Sequence, residues 1–485
     1  MTHNIVVVGA GTAGAIASTF LKSHWKDKVN ITLIYDHKNP GIGVGESTTP
    51  IIFDFLQGIG IDDDDLIKNT NSTYKIGIKF KNWLNDNKHY YHGFAEFATE
   101  EVPNRFNSAY AYEVTKNTKY LNFHYDSFYY EKNILPSKME GHAIHIDTLS
   151  FSNYIQSLFK NKITILDGVV KKVNVDSGKI DSIVLSDGRE IKADIYIDAT
   201  GFSGELIKHL NPKWVDKSDY IPNNRAIPFH IKKEYNYIPP YTLAEASPNG
   251  WIWQIPLSHR FGSGYLFSDK FTDVEDAKQD YNKWLMKNHN IELDSDRVIK
   301  FDSGYWENPW IGNCVAIGLS SGFVEPLEST SVHMSILQTI TFMLKYPLEI
   351  IPTNVSQYNK YFAERFEEIY DFVRYHYYTK RNDSPFWKYM TDNTPEWIIN
   401  LENKIKKDFL RAEDFIHLAI FDYLSYSAVS YGLKIFTPED ATAYLKKRNL
   451  ESTALTHYNR LRHYKMQNRD GSVDHKEYIE SIKYT

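Results

Sequence analysis

The sequence predicts a mixed α/β chain: a doubly wound sheet fused to a β-rich region and followed by a helical subdomain. Three observations carry this. Gly9-Ala-Gly11-Thr-Ala-Gly14 lies between a β-branched run and an amphipathic segment. Short apolar runs alternate with Gly-containing turns over residues 163–197. Residues 391–485 carry helix-start signals and little strand patterning.

Taken in order, Ile5–Val8 reads as a buried strand. The glycine turn follows, then a helix from about Thr12 to His24 and a strand at Ile31–Tyr35, the βαβ opening of a Rossmann-type domain. The acidic run Asp62–Asp65 reads as a solvated helix start. Leu149, Tyr154, Ile155 and Leu158 are assigned to one face of a helix capped by Asp147 or Thr148. Turns at Asp176-Ser-Gly178 and Ser186-Asp-Gly188 mark a β-meander over 163–197. A second strand with a glycine turn spans Cys314–Gly318, and a long helix runs from about Ser331 to Leu344. Thr394-Pro-Glu396 and Thr437-Pro-Glu-Asp440 each place a capping hydroxyl before Pro at the first helical position. Asn468-Arg-Asp470-Gly471 lacks the ligand series of a calcium loop and reads as a turn. We divide the chain into a composite domain, 1–390, and a C-terminal helical subdomain, 391–485.

At 485 residues, 42% hydrophobic and 24% charged, the composition is that of a soluble globular chain with room for a large core. A net charge of -6 gives no reason to expect nucleic acid or an anionic membrane as partner. Cys314 is the only cysteine, which excludes an internal disulfide and a thiolate metal cluster. The first residues lack a basic stretch before their short apolar run, and no run reaches membrane-spanning length, so the expectation is a cytoplasmic protein. Aromatic residues make up 15%, and a few of them are expected to line an aromatic pocket.

Gly9, Gly11 and Gly14 allow the tight turn and the close approach of a pyrophosphate, with Thr12 and Ala13 completing the loop at a helix N-terminus. Asp36, just past the second strand, is the acid at hand for the ribose. Two later segments, Tyr196-Ile-Asp198-Ala-Thr-Gly201 and Gly312-Asn-Cys314-Val-Ala-Ile-Gly318, are strands ending in glycine turns. Their order fits a flavoprotein, with Asp198, Gly201 and Gly318 at FAD. No second G-x-G-x-x-G follows a strand, so either nicotinamide visits transiently or reduced flavin arrives from elsewhere.

Trp251-Ile-Trp253-Gln-Ile255-Pro256 puts two indoles on one face of a strand. It resembles the W-x-W-x-I-P signature of flavin-dependent halogenases of the tryptophan-halogenase family. The resemblance covers most of the chain. Gly43-Val-Gly45-Glu46-Ser47-Thr-Thr-Pro50 is similar to the family's flavin-covering strap. Tyr74-Lys75-Ile-Gly-Ile-Lys79-Phe80 resembles the stretch with its catalytic lysine, matched by Lys75; Lys79 has no family counterpart and reads as a surface charge. Phe323-Val-Glu-Pro-Leu-Glu328-Ser329-Thr330 resembles the segment with its active-site glutamate, matched by Glu328, and its halide site, here Thr330 and Ser331. His92 and Phe94 are similar to the substrate-sandwiching pair, and Asp383-Ser-Pro-Phe-Trp387 to a further landmark.

The resemblance implies that FADH2 from a separate flavin reductase, with O2, oxidises halide to hypohalous acid. Lys75 and Glu328 would direct that oxidant to an electron-rich aromatic carbon in a pocket lined by His92, Phe94, Trp251, Trp253 and Ser329. The chain departs from the family at three points. Ser331 stands where glycine is usual, which favours bromide or iodide over chloride. No Trp lies beyond Trp397 to cover an indole, with Phe421 or Tyr423 as stand-ins, so indoles or phenols other than free tryptophan are expected. Ala15 replaces a common Trp. Aromatic hydroxylation by a flavin monooxygenase and a catalytically silent flavoprotein are the alternatives.

Overall fold

Alternation within one short strand organises the centre of the molecule. In His3–Val8, Ile5 and Val7 enter one apolar cluster while Val6 and Val8 enter another, so both faces of the strand are buried. The structure, a computed structural model, describes residues 2–38, 45–94, 103–116, 127–137, 139, 141–232, 235–408, 410–415 and 419–484. His3–Val8 lies inside a six-stranded sheet ordered Trp310–Ile311, Cys314–Ala316, Ile195–Asp198, His3–Val8, Val29–Tyr35 and Thr164–Asp167. Its pairings are parallel apart from the hairpin of the first two strands. The helix Thr12–Trp25 packs against the helices Thr148–Leu158 and Thr330–Lys345.

A seven-stranded sheet forms the β-rich region, ordered Ile299–Lys300, Arg225–Ile231, Phe261–Phe267, Gly250–Pro256, Tyr241–Ser247, Gly77–Lys81 and His89–Gly93. A small sheet with Ala143–Ile146 at its centre joins Glu46–Ser47 to Thr73–Lys75. Candidate strap and candidate lysine thus hang from one strand.

Three local expectations are corrected. At about 100° per residue, Leu149 lies about 160° from Phe151 and about 120° from Ile155 on their helix; Phe151 and Ile155 face the core, while Leu149 and Leu158 are 49% and 37% exposed. The meander is the inner part of 163–197, Val170–Asp176, Lys179–Leu185 and Glu190–Ile191, whereas the flanking strands join the parallel sheet. Thr394 does not cap: the helix Glu396–Lys407 starts after Pro395, and the Thr394 hydroxyl donates to Thr391 O. Asp62, Asp147 and Thr437 do cap, Thr437 in a reciprocal box with Asp440.

The C-terminal helices Pro438–Lys447 and Glu451–Arg469 pack on Pro103–Thr115, and Gly471 makes the turn after them with φ +80°. The chain then pairs Val473–Asp474 with Ile134–Leu135 and ends in the helix His475–Tyr484. Among the described residues, no helix is long and apolar enough to cross a membrane.

Candidate active site

The glycine turn is built to approach something closely. A Cβ on Gly14 would stand 1.8 Å from Gly9 O, and one on Gly9 2.3 Å from Ala199 O, so turn and neighbouring strand admit no side chain there. Over Gly11 a Cβ would meet open space, and Gly11 starts the helix without a side-chain cap. Uncapped first-turn N–H groups facing open space suit a pyrophosphate, so these residues fit FAD. Thr12 Oγ1 donates to Glu46 Oε2 at 2.7 Å, tying the turn to the strap. Ala13 lies under Gly318, whose φ of +61° opens the turn after Cys314–Ala316.

Asp36 stands one residue past its strand and accepts the Lys38 N–H. Asp198 is buried with both oxygens occupied: Oδ1 accepts from Thr200, and Oδ2 from the Leu206 and Ile207 N–H groups. It shapes the loop at Gly201 from within. Of the strap, Gly43 and Val44 lie outside the described residues; Gly45 has φ +80°, and Ser47 Oγ pairs with Thr242 Oγ1 at 2.9 Å.

Lys75 is wholly buried at the end of Thr73–Lys75. Its Nζ donates to Thr48 O in the strap and to Ser329 Oγ, both at 2.9 Å, and lies 4.9 Å from the centre of the Phe94 ring. Burial pulls its ammonium down to about 7, against the upward pull of Glu328. Glu328 is also buried, between two imidazoles. His92 Nδ1 is 3.0 Å from both carboxylate oxygens, and His376 Nε2 is 2.8 Å from Oε1 but out of line for a hydrogen bond. Burial alone would raise the Glu328 carboxyl; the two histidines outweigh it and hold it at about 2. Ser329, at φ +62°, turns the chain between Glu328 and the helix Thr330–Lys345, which aims the hydroxyl at Lys75.

Trp251 and Trp253 are buried on one face of Gly250–Pro256, with ring centres 6.3 Å apart. A Cβ on Gly264 would fall 2.1 Å from the Trp253 ring, so that glycine lets the indole lie flat on the next strand. Trp251 Nε1 donates to Glu325 Oε1. A cavity of about 10 Å³, room for one water or small ion, is lined by Gly318, Gly322, Thr330, Ser331, Met334 and Phe366, among others. Ser331 is the second residue of its helix, a backbone position open to any side chain, so it acts through its side chain rather than through φ.

The sequence did not single out His376 or Glu325. His376 ends the long helix Pro352–His376 inside an aromatic run, and its only signal was a lone histidine among tyrosines. Glu325 lies within 323–330, where nothing local in the sequence assigns it a role. Phe421 stacks on Phe372 at 4.1 Å and lies 6.4 Å from His92, at the site; Tyr423 is buried. Lys79 corrects an expectation. It is half-buried, with Nζ over the Tyr91 and Tyr241 rings at 5.4 and 5.2 Å. Arg381 forks onto Asp383 and stacks on Trp387, whose indole donates to Ser247 O, bracing the strand beside Gly250–Pro256.

The sequence profile described as tryptophan halogenase matches residues 4–448. Over 419 residues the chain is 30% identical to the tryptophan 7-halogenase RebH of Lentzea aerocolonigenes, covering 79% of this chain and 78% of that one. The tryptophan 6-halogenase SttH of Streptomyces toxytricini is 28% identical over 423 residues, covering 79% of this chain and 80% of its own. Among solved structures, Xcc4156, a flavin-dependent halogenase from Xanthomonas campestris, superposes with a TM-score of 0.88 at 26% identity, covering 99% of this chain and 98% of that one.

Proposed function

Because the chain belongs to the tryptophan halogenase family and is a flavin-dependent halogenase, we propose that it transfers an electrophilic halogen to a carbon of an electron-rich indole or phenol, directed by Lys75 and Glu328. One observation carries this reading: the buried Lys75 Nζ is 2.9 Å from Ser329 Oγ, next to a Glu328 carboxylate flanked by His92 and His376. Bound FAD, in reduced form and with O2, supplies the oxidising power that turns halide into hypohalous acid. Gly9, Gly11, Thr12, Ala13, Gly14, Asp36, Gly45, Glu46, Ser47, Gly201 and Gly318 would hold it, with Asp198 acting through its loop.

Held at about 7, Lys75 is present near neutrality as both ammonium and amine. The ammonium donates a hydrogen bond to the oxygen of hypohalous acid, or the amine takes up the halogen with release of water. On either route the ring carbon bonds the halogen as its bond to oxygen or nitrogen breaks, and the ring hydrogen leaves as a proton. A carboxylate held at about 2 is a weak proton acceptor, which favours Glu328 as the group that stabilises positive charge on the ring. Trp251 and Trp253 keep the aromatic substrate from the flavin, and His92, Phe94 and Phe421 offer faces to it.

The reductant is FADH2 from a separate flavin reductase, supported by the lack of a second strand-borne glycine fingerprint in the sequence. Bromide or iodide is preferred, supported by Ser331 beside the small cavity. The test supplies FAD, a flavin reductase, NADH, O2 and bromide with a panel of indoles and phenols, and reads mass shifts. Lys75→Ala is expected to abolish halogenation while reduced flavin is still oxidised. Hydroxylated product, or full halogenation by that variant, overturns the reading.

A further inference from the structure

We propose that His475, from the end of the chain, is a positioning residue for Lys75: its imidazole is a rung that fixes the strand from which Lys75 projects. This rests on the reading of Lys75 given above. Thr73–Lys75 is an edge strand, paired on one side only, with Ala143–Ile146. On its open side the Ile76 N–H is satisfied directly by Pro240 O at 2.8 Å. Two residues earlier, the Tyr74 N–H faces the same way and meets His475 Nε2 at 3.2 Å, while His475 Nδ1 reaches Ile238 O at 3.0 Å. The ring therefore bridges an amide and a carbonyl where a direct ladder bond would otherwise run.

The bridge fixes its own chemistry. An amide can only donate and a carbonyl only accept, so the proton sits on Nδ1 and the lone pair on Nε2. His475 is fully buried, and burial holds it at about 4, so the ring stays neutral in the working range. Its own backbone is pinned as well: the His475 N–H donates to Asn133 O at 3.1 Å, beside the pairing of Val473–Asp474 with Ile134–Leu135. One turn on, Tyr478 lies 5.8 Å from the Tyr74 ring, whose hydroxyl donates to Asp64. Tyr74 is thus held by backbone, ring and hydroxyl, and the next residue carries the Nζ that must meet the oxidant. His475 lies outside the family match at 4–448. Displacing a reacting group by about 1 Å can cost ~100-fold in rate, which gives the rung leverage. The charged or titratable groups that face Lys75 are Glu328 and His145, and His145 also faces His475.

The experiment uses the full chain with FAD, a flavin reductase, NADH, O2, bromide and an indole. It compares wild type, His475→Phe, His475→Gln and Lys75→Ala. The readouts are brominated product per reduced flavin oxidised, the pH profile of that ratio, and FAD affinity. His475→Phe is expected to lower the ratio about tenfold and to move the inflection near 7 upward as the ammonium gains water, with FAD affinity unchanged. His475→Gln, able to accept from Tyr74 and donate to Ile238, restores most of the ratio. If His475→Phe is insoluble, His475→Asn carries the same prediction, since it reaches Ile238 but not Tyr74. A wild-type ratio, an unmoved inflection, no rescue by Gln, or a loss that tracks FAD affinity overturns the proposal. Halogenation surviving in Lys75→Ala overturns the reading of Lys75 itself, whatever His475 does.

Discussion

Trp251 donates its indole N–H to Glu325 Oε1 across 3.2 Å, which bonds the tryptophan wall to the loop that carries Glu328. The same carboxylate accepts from Tyr377 at 2.6 Å and from Asn223 at 2.7 Å. Burial pushes Glu325 up to about 7, and its three donors offset only part of that rise. A group that changes protonation in the working range therefore sits between the wall and the loop. Protonation removes one of about four acceptor sites, which leaves none to spare beyond the three donors.

Glu325→Gln is expected to leave flavin oxidation near the wild-type rate and to lower product per oxidised flavin several-fold, because one carbonyl oxygen cannot accept from Trp251 and Tyr377 on one side and from Asn223 on the other, which disturbs the join between wall and loop. Escaped hypohalous acid, caught by a halogen acceptor in solution, should rise in step. Glu325→Ala strands three buried donors at about 1–3 kcal/mol each and should lower the thermal midpoint clearly. Wild-type coupling in the glutamine variant would refute this link.

Lys75 predicts a pH profile with a definite sign. Its ammonium is held at about 7, so with the ammonium as working form, halogenation per oxidised flavin falls about tenfold per pH unit above that value. Glu328, held at about 2, contributes no inflection between pH 5 and 9. A ratio that rises through pH 7 would instead assign the amine, and hence the haloamine route.

Sequence legibility followed chemistry more closely than surface. The strand–glycine–helix opening was readable because Gly9 and Gly14 tolerate no Cβ, a constraint that leaves glycine as the only choice. Lys75, Glu328 and Trp251 were readable only as parts of motifs, since a buried lysine looks like any other until its strand is placed. His376, Glu325 and His475 come from segments remote from the residues they touch, and no local period marks such contacts. The misplaced face at Leu149 has a simpler cause: Tyr154, Ile155 and Leu158 share an arc of about 100°, whereas Leu149 lies about 180° from Leu158.

Ser331→Gly tests halide choice. Ser331 has an ordinary helical backbone, so the substitution relieves no strain; it removes the serine hydroxyl from the cavity lining and restores the glycine usual at this halide position. In a mixture of chloride and bromide, the variant should raise chlorinated relative to brominated product several-fold. A ratio equal to wild type would locate halide preference away from Ser331.

Keeping Lys75 inside the protein costs stability at low pH. Its pKa falls from 10.5 to about 7 on burial, so the folded state disfavours the charged form. Below about pH 7 the lysine is charged in both folded and unfolded chains, and the full penalty, a few kcal/mol, is present. Between 7 and 10.5 the unfolded chain binds more protons than the folded one, so stability rises with pH and the penalty fades. Lys75→Met removes the charge at the loss of the bonds to Thr48 and Ser329. The variant is therefore expected to be inactive in halogenation yet more stable than wild type at pH 6, with the advantage shrinking toward pH 10. Thermal unfolding of both chains across that range checks the sign: an advantage that grows with pH would mean the buried amine is not held below its usual value.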